Sequence, residues 1–249
     1  MKFSDLQRAF YKQTKSGING LILFGVPGAG KGTYGSLLAK SYNFNKITPG
    51  DSIRRLLTSP DSVHDPKYLQ LKTCVDKGLL VDDEIVLDLI VDEYQKTRGQ
   101  YNGVIFDGIP RTLNQFEKLK ERFDLNTYLV LNVELQEDIL IEKLLGRRVC
   151  VACSTNYNIC SIDRDGYFMK PLLPKEEGKC DNCQGTLVKR KDDKVHVIKE
   201  RIGLYYRETL PILKQFEDNG IKRIDFIPKR GVDDYDKLLD LVKPFIPLP

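Results

Sequence analysis

Tryptophan is absent from the 249-residue chain, and histidine and methionine occur only twice each. His64 and His196 belong to no ligand constellation and read as solvated side chains, which leaves no imidazole-centred site to argue for. No apolar run approaches the roughly 18 residues of a membrane span, so no helical span is expected. A secretory hydrophobic region is missing as well. The compartment this implies is reducing, and the six cysteines need an intracellular explanation. Internal repeats and low-complexity tracts are lacking. Charge of one sign is in small excess, 39 basic against 35 acidic residues for a net +4. That is too mild to announce nucleic acid, and it suits a protein holding anionic phosphates without requiring one.

What is present is ordinary globular sequence, 41% hydrophobic and 30% charged, enough for one large domain or one domain with inserted lobes. Short apolar runs at residues 21–24, 104–106, 128–133 and 221–226 alternate with amphipathic stretches. That alternation predicts a parallel α/β sheet. Val86, Ile90 and Tyr94, with Ile85 and Leu89, form a stripe at helical spacing and read as core. Residues 1–17 carry Phe3, Leu6 and Phe10 at helical spacing among basic residues. They read as an N-terminal helix packed on the domain, with a weak mitochondrial targeting segment as the alternative. From about residue 148 to 193 the alternation breaks. Gly, Pro, Cys, Asn and Asp are dense there, so a compact insertion is expected before helical patterning resumes near Lys194.

Gly25-Val26-Pro27-Gly28-Ala29-Gly30-Lys31-Gly32-Thr33 follows the first strand and precedes helix-forming sequence. Glycines in this context let successive N–H groups converge on phosphate oxygens, and the helix adds its positive end. Lys31 brings a mobile charge to the same oxygens, and Thr33 a hydroxyl near the metal. Ser or Thr usually follows the lysine directly, whereas Gly32 intervenes here. No Asn-Lys-x-Asp guanine reader accompanies the loop, since Asn45-Lys46-Ile47-Thr48 lacks the Asp. A GTPase is thereby disfavoured.

Further along, Pro49-Gly50-Asp51-Ser52-Ile53-Arg54, the run from Gly78 to Glu84, and Asp107-Gly108-Ile109-Pro110-Arg111-Thr112-Leu113-Asn114-Gln115 appear in order. They are followed by Gly146-Arg147-Arg148, Arg190-Lys191-Asp192-Asp193 and Glu200-Arg201-Ile202. Together these resemble the collinear motifs of the adenylate kinase family over about residues 20 to 230. The resemblance implies an α/β P-loop NTPase fold with a central parallel sheet flanked by helices. It also implies an AMP-binding insertion at 48–81 and a LID insertion at 147–191 within a core of 18–249. The implied reaction is reversible phosphoryl transfer from Mg-ATP to AMP giving two ADP. GTP as donor, another nucleoside monophosphate as acceptor, and, remotely, a zinc-ribbon nucleic-acid binder are the alternatives.

Such a reaction needs no strong base, only charge neutralisation, in-line alignment and exclusion of water. By the resemblance, Lys31, Arg111, Arg147, Arg190 and Arg201 are catalytic. Gly28, Ala29, Gly30, Lys31, Gly32, Thr33, Lys143 and Arg147 would hold the donor. Pro49, Arg54, Val81, Gly108, Arg111, Gln115, Arg190 and Arg201 would hold AMP, with Gln115 reading the base edge. Asp107 would hold Mg²⁺ through water. Asp51 and Asp82 read as turn or cap residues. The chain departs from the family in three places. Pro49 replaces a threonine near the AMP base, Lys143 replaces an arginine over the donor base, and Ile109 replaces a phenylalanine.

Cys150-Val151-Ala152-Cys153 and Cys180-Asp181-Asn182-Cys183 are two C-x₂-C turns separated by 26 residues. Four thiolates so arranged suit tetrahedral Zn²⁺, though the gap exceeds the usual spacing of about 15–20 residues and demands an extended loop. Such a zinc would be structural, stiffening a LID with little core; the competing reading is a pair of disulfides or free thiols. Cys74 and Cys160 read as incidental thiols. The expected partners are nucleotides, with no nucleic acid and no membrane, in a cytoplasmic or alternatively mitochondrial monomer.

Overall fold

The computed structural model describes residues 17–58, 66–246 and 248. The expected N-terminal helix, residues 1–16 of it, and His64 therefore lie outside the described residues. Five parallel strands form the centre: β1 (Gly20–Phe24), β2 (Phe44–Ile47), β3 (Gly103–Asp107), β4 (Tyr128–Val133) and β10 (Arg223–Phe226), in spatial order β10-β4-β1-β3-β2. The three inner strands are buried at every position, because helices cover a parallel sheet and neither face meets water. The edges read differently. β10 exposes Arg223 and Asp225, and β2 is buried only at Phe44 and Ile47. With two apolar residues in four, β2 has no periodic signal in the sequence, and it emerges only through pairing with β3.

Helices α1 (Lys31–Tyr42), α2 (Pro49–Thr58), α3 (Pro66–Lys77), α4 (Asp83–Thr97), α5 (Leu113–Arg122) and α6 (Glu137–Gly146) connect the strands as far as β4 and beyond, and α7 (Val195–Leu204), α8 (Ile212–Asp218) and α9 (Tyr235–Val242) close the chain. The expected stripe on α4 buries Val86, Ile90 and Tyr94, with Leu87 beside them. Asp82 caps that helix, its carboxylate accepting from the N–H groups of Glu84 (3.0 Å) and Ile85 (3.4 Å). Aromatic rings knit strands to helices: Phe106 meets Phe123 at 4.9 Å and Phe24 meets Phe216 at 5.7 Å, both edge to face. No described helix is long and apolar enough to cross a membrane.

The irregular segment resolves into two small sheets. One is antiparallel, β6 (Asn156–Asn158) against β5 (Arg147–Cys150) against β9 (Leu187–Val188). The other is the hairpin of β7 (Ile162–Arg164) and β8 (Tyr167–Met169). Asp165 and Gly166 at its tip both take positive φ, 52° and 75°, as a two-residue type I′ turn demands. The two sheets pack differently. Cys150, Tyr157 and Cys180, with Cys153 and Leu187, form a small separate cluster. Ile162, Tyr167 and Met169 instead join the main core. Arg164 binds Glu142 (2.7 Å) and Asp138 (3.1 Å) on α6, and the Phe168 N–H donates to the Lys229 carbonyl (2.8 Å). The 26 residues between the cysteine pairs therefore run out to the core and back.

Candidate active site

The glycine-rich loop turns between β1 and α1 with Gly25, Gly28 and Gly30 at φ of 126°, 95° and 105°. At Gly25 only glycine fits, since a Cβ would stand 2.1 Å from the Val133 carbonyl oxygen. Gly32, the residue that displaces the usual hydroxyl, is less constrained and faces only side chains. A Cβ there would meet Asn156 Nδ2 at 3.2 Å and Asp107 Oδ2 at 3.6 Å. Lys31 Nζ donates to the carbonyls of Gly25 and Val26.

A single cavity runs from this loop along the C-terminal ends of the strands. Lys31, Arg54, Arg111, Arg147, Arg190 and Arg201 all line it, although they come from six separate stretches of sequence. Among the other expected site residues, Gly28, Gly30, Gly32, Thr33, Pro49, Val81, Asp107, Gly108, Gln115 and Lys143 also line it. Ala29 does not, being fully buried beneath the loop. The four cysteines of the two C-x₂-C turns stand apart from it, grouped with one another.

Carboxylates organise these cations. Asp193, with no exposure, accepts from Arg147 Nε (2.9 Å) and Nη2 (2.5 Å) and lies 3.7 Å from Arg201. Asp192 accepts from Arg201 (2.9 Å). Asp51 binds Arg54 (2.5 Å) and reaches Arg190 (3.6 Å), a bridging role that its reading as a cap did not include. The cations nonetheless outnumber the acids, and their protonation shows the strain. Burial first, and then Arg111, Arg201 and Arg147, lower Lys31 to about 7 against the opposing pull of Asp107. Burial and the neighbouring Arg147 lower Arg201 to about 10, and burial with Arg147 and Arg54 lowers Arg190 to about 9. Burial would raise Asp192, but Arg201, Arg147 and Arg190 outweigh it and hold it below the usual range. Such a cavity favours a polyanion.

Gln115 is nearly fully buried at the cavity wall. Its Oε1 accepts the Arg111 N–H (2.7 Å) and its Nε2 donates to Asp83 Oδ1 (2.7 Å). The other Asp83 oxygen accepts from Thr112 (3.0 Å) and Asn114 (2.7 Å). One N–H and one lone pair of the amide remain for a ligand. Asp83, 32 residues from Gln115 in sequence, is the positioning residue that a reading by motif passes over.

The four cysteine Sγ atoms lie within 4.8 Å of one another, with Cys150–Cys183 and Cys153–Cys180 both at 3.5 Å. Zinc–sulfur bonds of about 2.3 Å in a tetrahedron put sulfurs about 3.8 Å apart, so the donor set fits that ion. The two turns repeat one geometry. The Ser154 N–H donates to the Cys150 carbonyl (3.1 Å) and the Gln184 N–H to the Cys180 carbonyl (2.8 Å), with Ser154 and Gln184 at φ of 59° and 61°. Tyr157 Oη donates to Cys180 Sγ and accepts the Asp181 N–H (2.7 Å), a supporting contact of the kind metal ligands need. All six cysteines are free of disulfides.

The sequence signature of the adenylate kinase family matches residues 23–221. The chain belongs to the adenylate kinase family. Among its relatives, a GTP:AMP phosphotransferase of Plasmodium falciparum (isolate 3D7) is 33% identical over 89% of this chain and 95% of its own length. An adenylate kinase of Clostridium botulinum is 36% identical over 81% of this chain and 88% of its own. A probable chloroplastic adenylate kinase 1 of Oryza sativa subsp. japonica is 35% identical over 89% and 74%. This adenylate kinase relative is a phosphotransferase with a nucleotide site.

Proposed function

We propose that the enzyme moves the terminal phosphoryl group of a magnesium-bound purine nucleoside triphosphate to AMP, reversibly, with ATP giving two ADP. The observation carrying this reading is the convergence of one lysine and five arginines on a single cavity beside a glycine-rich loop. An AMP phosphate oxygen attacks the terminal phosphorus, and the bond to the bridging oxygen of the donor breaks. No side chain needs to remove a proton, because the acceptor oxygen is already anionic.

The residues divide the work as follows. Gly28, Gly30, Gly32, Thr33 and Lys31 hold the donor phosphates, with Ala29 supporting the loop from below. Arg54 and Arg111 fork onto the AMP phosphate, Pro49, Val81 and Gly108 line its nucleoside, and Gln115 reads the base with the hydrogen-bonding capacity that Asp83 leaves free. Arg147, Arg190 and Arg201 close on the transferring group, held in place by Asp193, Asp51 and Asp192. Asp107, at the end of β3 and beside Gly32, would hold the hydration shell of Mg²⁺, which supplies charge neutralisation when bound with the triphosphate. Zn²⁺ on Cys150, Cys153, Cys180 and Cys183 would be structural. Residues 48–81 serve as the AMP lobe and 147–191 as the LID in a monomeric, reducing-compartment enzyme, cytoplasmic or alternatively mitochondrial.

GTP as donor is a second reading, favoured by Lys143 in the place of an arginine and by the likeness to the Plasmodium GTP:AMP phosphotransferase. The test is initial-rate formation of ADP from AMP with Mg·ATP and Mg·GTP. ADP formed from AMP is expected with at least one donor. Its absence with both, from folded zinc-loaded protein, refutes the proposal.

A further inference from the structure

Between α7 and α8 the chain winds through one wide turn, Tyr205–Thr209, in which the Leu210 N–H reaches back five residues to the Tyr205 carbonyl (2.8 Å) rather than four. Pro211 supplies the reason. A proline has no N–H to offer the carbonyl four residues behind it, here that of Arg207, and its ring crowds that oxygen, so regular winding cannot continue through this point. The wide turn absorbs one extra residue, and the helical path resumes in α8.

That extra residue changes which side chain faces the cavity. Arg201, Leu204 and Tyr205 line it. On an unbroken α-helix the residue seven places after Arg201 would share its face, and that residue is Glu208. With one residue taken up by the wide turn, Thr209 holds the place instead. Thr209 is buried and lines the cavity, while Glu208 is exposed and pairs with Arg207 (3.5 Å). A carboxylate is thereby kept out of the cation cluster and a hydroxyl is put in.

The hydroxyl meets a residue 98 positions earlier: Thr209 Oγ1 donates to the Arg111 carbonyl (2.8 Å). Arg111 lies between β3 and α5, outside any helix or strand, so no ladder fixes its backbone. Side chains hold it instead. Gln115 Oε1 accepts the Arg111 N–H (2.7 Å), Thr209 binds the carbonyl, and the Arg111 side chain itself is turned by an Nε–H bond to the Gly108 carbonyl (2.8 Å). A guanidinium that must fork onto two phosphate oxygens tolerates little displacement, and both polar groups of its backbone are clamped. We infer that Thr209 is a positioning residue for phosphoryl transfer, its hydroxyl holding the Arg111 backbone so that the guanidinium meets the AMP phosphate, and that the wide turn ahead of Pro211 delivers it. The inference rests on the reading of Arg111 as a ligand of the AMP phosphate and adds the residue that aims it.

Thr209→Val keeps the size and branching of the side chain and removes the donor; Thr209→Ser keeps the donor. Steady-state kinetics with each substrate varied in turn should show the KM for AMP rising by about ten-fold in Thr209→Val, the scale on which a displaced binding group is felt, while the KM for the triphosphate stays within about two-fold. Calorimetric binding of AMP alone should weaken in step, and Thr209→Ser should recover most of both losses. If Thr209→Val does not fold, Thr209→Ala removes the same donor without adding bulk and carries the same expectation. An unchanged KM for AMP in a folded variant lacking the hydroxyl overturns the inference. So do equal rises in both KM values, and so does a Thr209→Ser enzyme as impaired as Thr209→Val. Failure of the unsubstituted enzyme to transfer to AMP overturns the parent reading instead, a result distinct from transfer that is indifferent to Thr209.

Discussion

Asp193→Asn is the substitution that most directly tests how the cationic cavity is held together. Asp193 is wholly buried and takes two hydrogen bonds from Arg147, with Arg201 3.7 Å away. Asparagine fits the space but turns an N–H₂ towards a guanidinium that also only donates. The change therefore breaks a buried pair and leaves Arg147 facing the like charges of Arg190 and Arg201. Removing one partner of such a pair costs about 3–5 kcal/mol. At roughly 2–4 °C per kcal/mol for a chain of this size, the melting temperature should fall by at least about 6 °C. The exposed pair Lys96–Asp92, four residues apart on α4, provides the contrast. Asp92→Asn should cost only about 0.3–0.5 kcal/mol and shift the midpoint by under about 2 °C. Calorimetric melting of both variants with and without a millimolar nucleoside triphosphate is the assay. The polyphosphate should recover part of the Asp193→Asn loss, because it supplies the missing negative charge. Equal, small shifts for the two variants would refute the idea that buried carboxylates hold the arginines in place.

The remaining predictions concern protons, metal and the acceptor base. Lys31 has a folded pKa of about 7 against 10.5 unfolded. The native state thus binds fewer protons between those values, so the cost of burying Lys31 is full below about pH 7 and is relieved as pH rises towards 10.5. Triphosphate binding should restore its charge and take up protons at pH 8. Titration calorimetry in two buffers of unequal ionisation enthalpy measures this, and an uptake undiminished in Lys31→Met counts against it. Metal analysis should find one zinc per chain, and chelation should expose four thiols and sensitise residues 172–191 to protease while the main sheet survives; protein isolated without chelator yet free of zinc would contradict this. Asp83→Asn and Gln115→Leu should each raise the KM for AMP by about ten-fold while leaving that for the donor alone, and equal changes in both would point to a general loss of structure instead.

Sequence patterns carried much of this arrangement, and unevenly. The inner strands were legible because a covered parallel strand is apolar throughout, whereas β2 was not, since an edge strand of four residues with Asn45 and Lys46 inside it has no period to detect. The cations were legible as motifs because each arginine sits in a recognisable stretch. Their counter-charges were not, because a carboxylate such as Asp51 or Asp193 looks the same whether it caps a helix or anchors a guanidinium in another segment. Gln115 stood out and Asp83 did not, because their contact spans 32 residues and depends on α4 lying beside α5. The cysteine pairs announced their geometry through spacing alone. What lay between them carried no such signal, since Arg164 and Tyr167 become informative only when α6 and Lys229 are found next to them.

The hairpin between the cysteine pairs also changes the entropy of building the metal centre. A free 26-residue loop must lose configurational freedom before its two ends can share one ion. Pinned midway by Arg164, Phe168 and the buried Ile162, Tyr167 and Met169, that loop becomes two shorter arms, residues 154–161 and 170–179. Most of the closure cost is then met when the main core folds, before any ion arrives. A spacer that looks too long for tight chelation thereby acts as a short one, and its extra residues contribute a wall of the nucleotide pocket on the way.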